Sequence, residues 1–81
     1  MSASQGIPGL AWLRSHWIPL SEVRSETWAL GARHQGRVIF GARKESADPD
    51  ISFRRAILLK AVIRRQSGSA AGRAELERAG L

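Results

Sequence analysis

Between residues 21 and 47 the apolar positions follow a helical period. At 100° per residue Val23, Thr27, Leu30, Gly31, His34 and Val38 fall on one side, and Trp28, Ala32 and Ile39 widen it. Glu22, Glu26, Arg33, Arg37 and Lys44 occupy the other side, so the pattern predicts a long amphipathic helix over 21–47. Ser21, placed before Glu22 and Glu26, is the expected N-cap, since acids suit the first turns of a helix. Asp48 precedes Pro49 and is thereby pushed out of the α region, which sets the limit at Ala47. Gly31, Gly36 and Gly41 each weaken the helix by up to about 1 kcal/mol relative to Ala, and Gly36 is where it is expected to break, if it breaks. Residues 37–40, with Val38 and Ile39 between two glycines, also fit a short strand as the minor alternative.

Asp48-Pro49-Asp50 reads as a turn, after which Asp50 or Ser52 can cap a second helix over 52–66 that Ser67-Gly68-Ser69 ends. The middle of this helix is apolar on nearly every side: Ala56, Leu59 and Ile63 make one face, Leu58 and Val62 another. A helix of that kind must be central. In so short a chain it is enclosed only by the N-terminal arm or by a second copy, and the expectation is a homodimer. Upstream, residues 9–17 read as a short helix between Pro8 and Pro19 with Leu10, Leu13 and Trp17 on one face. The expected fold is therefore all-α, a small helical hairpin with a Trp-bearing N-terminal arm. Its domain spans 7–66, flanked by a flexible 1–6 and a loose or short-helical tail over 67–81, where Arg73 and Glu77 stand four apart.

Size and composition support self-association. Eighty-one residues without a cysteine make one domain with neither a disulfide nor a thiolate metal site to support it. No apolar run reaches the roughly 18 residues of a membrane span, and the first twenty residues lack the pattern of a signal peptide, so a cytoplasmic location is expected. The net charge of +6 is concentrated in one place. Residues 21–50 and 67–81 each balance their charges, whereas 51–66 carries Arg54, Arg55, Lys60, Arg64 and Arg65 with no acid. Codon bias accounts for Arg over Lys in a chain in which Ala, Gly and Arg make up 31 of 81 residues, but it does not remove acids from one helix.

Candidate chemistry is sparse. His16 and His34 are the only histidines, and no Ser, His and acid stand in a catalytic arrangement, so no enzyme is expected. His34, on the apolar side, reads as a core or interface histidine. No metal-ligand spacing is present, and the glycines form neither GxGxxG nor GxxxxGK[ST], so neither metal nor cofactor is expected. Ala32 followed by Gly36 is loosely similar to the turn of a helix-turn-helix, yet Arg37 stands where an apolar residue belongs. The Ser-capped, Arg-rich second helix is loosely similar to the last helix of a ribbon-helix-helix dimer, but no alternating strand stands ahead of it. Neither likeness assigns a family.

What remains is electrostatic. Arg54 and Arg55 begin the second helix, Arg64 and Arg65 end it, and Arg33, Arg37 and Lys44 add a basic stripe on the first. This points to nucleic acid, DNA before RNA, bound through its backbone phosphates. The alternative is an adaptor or inhibitor that grips an acidic protein surface with Trp12, Trp17, Trp28 and Phe40 as anchors. Phe40 packed on the N-terminal arm is the structural alternative for that residue. A weaker third reading places the Trp-bearing arm on a membrane surface, but its single Arg14 argues against it.

Overall fold

The structure, a computed structural model, describes residues 18–80. The expected helix over 9–17, with Trp12 and Trp17, lies outside them. All regular structure among the described residues is helical: α1 (Leu20–Arg33), α2 (Val38–Ser46), α3 (Phe53–Ser67) and α4 (Ala70–Arg78).

The expected long helix is two helices. Gln35 and Gly36 both take positive φ, at 57° and 84°, and the chain turns before α2 begins at Val38. Glycine reaches that region without the steric cost a Cβ imposes, so Gly36 is the break the pattern anticipated. The strand alternative for 37–40 is not realised: Val38, Ile39 and Phe40 form the first turn of α2. The N-cap of α1 is Pro19, not Ser21, and no side chain caps it; the Pro19 carbonyl instead accepts from the amides of Glu22 and Val23 at 3.0 and 3.1 Å. α2 stops at Ser46, one residue short of the limit that Pro49 imposes.

The next turn follows the sequence closely. The Asp50 amide donates to Asp48 Oδ1 at 2.9 Å, an Asx turn, and Ser52 caps α3 by accepting from the Arg55 amide at 3.1 Å. α3 is central, packing on α1, α2 and α4, while α1 and α4 do not meet. Leu58, Leu59 and Val62 join Val23, Leu30, Val38 and Ala42 in the core, with Ile18, Ile51, Ala61 and Ile63 against its margin. The enclosure that the sequence assigned to an N-terminal arm or a second copy is thus supplied largely within the described chain by α1, α2 and α4.

Of the two forms expected for the tail, the helical one is present, and it is docked. Ser69 caps α4, and a Cβ on Gly72 would collide with the Gln66 carbonyl, so only glycine lets α4 approach the end of α3 this closely. Glu75, 6% exposed, then reaches α2, where its two oxygens accept from the amides of Ile39 and Phe40 at 3.0 and 2.8 Å. The first turn of any helix has amides without intrahelical partners, and here a carboxylate 36 residues away serves as the cap. Arg73 bonds the Gly68 carbonyl at 2.9 Å rather than pairing with Glu77.

Candidate nucleic-acid interface

The seven cations expected to meet phosphate divide into two groups. Arg33 and Arg55 belong to an ion-pair network that joins three helices. Glu26 Oε2 on α1 accepts from Nη2 of both Arg33 and Arg55 at 2.8 Å. Glu45 on α2 accepts from Arg33 Nε at 3.0 Å and from Arg55 Nη2 at 2.7 Å. His34 Nε2 lies 2.7 Å from Glu45 Oε2, the oxygen that also accepts from Arg33 Nε. Two arginines and two glutamates cancel, and the cluster carries no excess charge to offer a ligand.

The titration of these groups follows from their contacts. Burial pushes the Glu45 carboxyl up, but hydrogen bonds from Arg33, His34 and Arg55 outweigh it and hold the group at about 2. Glu26 is lowered chiefly by its bond from Arg55, against the opposing effect of burial. Arg33 is raised, first by Glu45 and then by Glu26, and Arg55 is raised, first by Glu26. His34 is held by shape as well: a Cβ on Gly41 would collide with its ring, so the glycine makes room for the imidazole. This is the packed histidine that the apolar stripe implied.

Arg54 is engaged too, in a bidentate pair with Glu22 at 3.0 Å on both arms. That pair is exposed, at 49% for the arginine and 38% for the glutamate, and a phosphate can compete for it.

Arg37, Lys44, Arg64 and Arg65 make no ion pair with the described residues. Arg37 and Lys44 enclose Phe40 instead, with the guanidinium carbon 4.4 Å and the ammonium 6.0 Å from the ring centroid.

Arg65 helps to form an open cleft of about 580 Å³ between the middle of α1 and the end of α3, lined by Arg24, Thr27, Trp28, Arg65, Gln66, Gly68 and Ser69. Trp28 is 78% exposed there, so it does not extend the buried face of α1 as the periodicity suggested; Ala32, on the same side, is exposed as well. Arg24 precedes the indole by one turn of α1, and Arg73, bonded to Gly68, stands at the same corner. Neither Arg24 nor Arg73 has an acidic partner among the described residues. Both were missed because each lies in a stretch of balanced charge, although the spacing of four between Arg24 and Trp28 was a usable signal.

The arrangement offers an aromatic face and guanidinium groups with no acid beside them. No group of three His, Cys, Asp or Glu side chains that could hold a metal occurs among the described residues. No helix among them is long and apolar enough to cross a membrane. No protein-family model matches the chain, and neither a curated protein nor a solved structure does.

Proposed function

We propose that this protein binds single-stranded nucleic acid at the Trp28 cleft, with a base stacked on the indole and adjacent phosphates held by Arg24, Arg64 and Arg65. The observation that carries the reading is the 78% exposed indole between two arginines that have no acidic partner among the described residues. Leaving so large an apolar side chain in water forgoes roughly 2 kcal/mol of burial, whereas stacking on a base is worth about 1–3 kcal/mol. Stacking requires an unpaired base, so the cleft favours a strand over the duplex backbone contacts that the charge pattern alone suggested. Lys60 and Arg64, four residues apart on the outer side of α3, extend the positive surface. The arginines in the last turn of α3 also offset the negative end of its dipole, a role compatible with phosphate binding.

A homodimer belongs to the same reading. Leu20, 51% exposed, begins α1 beside the Glu22–Arg54 pair, and a second copy meeting it there would bury it. Mass measured in solution across concentrations tests this, and a persistent monomer removes the dimer from the proposal.

The binding test is anisotropy of labelled oligo-dT and oligo-rU strands of about 15 nucleotides at low salt. Trp28→Ala is expected to weaken binding by about tenfold or more, and the two strands separate a DNA ligand from an RNA one. Absence of binding by both strands at about 50 mM salt, or an unchanged affinity in Trp28→Ala, overturns the reading.

A further inference from the structure

A second recess lies between α2 and α4 and shares no residue with the Trp28 cleft. It encloses about 320 Å³, lined by Ile39, Phe40, Leu76 and Ala79, with Arg43, Lys44 and Glu75 completing it. Ile39 is 1% exposed at its base, while Arg43 and Lys44 are exposed. Both oxygens of Glu75 are taken by the amides of Ile39 and Phe40, so the single acid in the recess is occupied and at the same time fixes α4 against α2. The slot is therefore built into the fold. Phe40 is held upright as one wall, with Arg37 over its face and the His34 ring meeting it edge-on at 6.2 Å between centroids.

Arg43 and Lys44, which line the slot, make no ion pair with the described residues, so an apolar slot whose one acid is buried against backbone amides is bordered by two exposed cations, with Arg37 on the Phe40 ring beside them. A nucleic-acid backbone gains nothing from apolar walls, and a neutral apolar segment gains nothing from the cations. The combination suits a chain that carries bulky apolar side chains between carboxylates. We infer that the α2–α4 groove is a docking site for an acidic amphipathic helix of a partner protein. One or two of its apolar side chains enter beside Ile39 and Leu76, and its acids face Arg43 and Lys44. This rests on no part of the nucleic-acid reading.

The test uses the full chain and a fluorescein-labelled helical peptide of about four turns, with Leu at positions i, i+3, i+4 and i+7 and Glu at the flanking positions. One control replaces each Glu by Lys, and another replaces each Leu by Ser. The acidic Leu peptide is expected to bind at least about tenfold more tightly than either control. Arg43→Glu with Lys44→Glu should lower its affinity by at least about tenfold, as should Ala79→Phe, which fills the slot from an exposed position. Circular dichroism verifies folding, and Arg43→Gln with Lys44→Gln replaces the reversed pair if that pair does not fold. Trp28→Ala should leave the peptide affinity unchanged, so failure of nucleic-acid binding and failure of docking are read separately. The inference is overturned by absence of saturable binding, by equal binding of the Lys peptide, or by indifference to the Arg43 and Lys44 changes. It is overturned equally if Trp12→Ser with Trp17→Ser tightens peptide binding about tenfold, because the groove then belongs to the N-terminal segment of this chain.

Discussion

The two ends of α3 carry matched pairs of arginines that do opposite work. Arg54 and Arg55 at its start face Glu22, Glu26 and Glu45, and they tie α3 to α1 and α2. Arg64 and Arg65 at its end meet no acid among the described residues, and Arg65 borders the cleft that exposes Trp28. Identical residue types in one helix thus serve cohesion at one end and remain available to a ligand at the other. What separates them is which helices pass nearby: α1 and α2 bring carboxylates to the start of α3, whereas its end meets the turn into α4, whose buried acid points to α2.

The largest test of this contrast is Arg55→Ala. It leaves Glu26 and Glu45, with side chains 14% and 24% exposed, short of one shared cation. The expected loss is about 2 kcal/mol, between the values for exposed and buried pairs, or a Tm lower by roughly 10 °C in calorimetry. Nucleic-acid affinity should follow only the folded fraction. The opposite profile belongs to Arg64→Gln with Arg65→Gln. Stability should fall by no more than about 1 kcal/mol, the part the two exposed arginines contribute at the C-terminal end of α3. Affinity for a single strand should fall about tenfold, with the slope of log K against log salt reduced by about 0.7 per arginine. Equal salt slopes for the wild type and the double variant would take the end of α3 out of the interface.

The helical class, the break at Gly36, the Ser52 cap and the central position of α3 were all legible from period and turn chemistry, because each depends on neighbours in the chain. The site was legible only in part. Absence of acids from 51–66 suggested one uniform basic element, but carboxylates 10, 29 and 32 residues away neutralise half of its arginines. Charge segregated along a chain is not segregated in space. Trp28 went astray for a related reason. Its position beside the apolar stripe of α1 implied burial, and only the packing of α3 against Val23 and Leu30 decides that the indole stays outside. Glu75 gave no local signal at all, since its partners are amides 35 and 36 residues upstream.

Acid separates the two ends by a different route. Glu26 and Glu45 have folded-state values below the ordinary 4.5, so the stability they contribute is fully present above about pH 4.5. It is lost as pH falls towards the folded value of about 2 for Glu45. Allowing for solvent screening of partly exposed partners, about 1–2 kcal/mol should disappear across that window. Urea unfolding at pH 6 and pH 3 measures it, and Glu45→Gln should abolish most of the difference. If the variant shows the same acid sensitivity as the wild type, the network at the start of α3 is not what holds the helices together.

Arg54 has the smallest expected effect and sets the boundary between the two classes. Its pair with Glu22 is bidentate yet exposed, so a double-mutant cycle with Glu22→Ala and Arg54→Ala should give a coupling of about 0.5 kcal/mol. That is little enough for a phosphate to displace Glu22, which is why Arg54 can pass from one class to the other where Arg55, shared by two carboxylates, cannot. In the strand-binding assay Arg54→Ala should cost less than threefold in affinity, because Arg54 sits beyond the residues that line the Trp28 cleft. A loss as large as that of Arg64→Gln with Arg65→Gln would mean that the strand runs the length of α3 and exchanges Glu22 for phosphate on the way. The two ends of the helix would then differ only in how strongly the fold itself competes for their arginines.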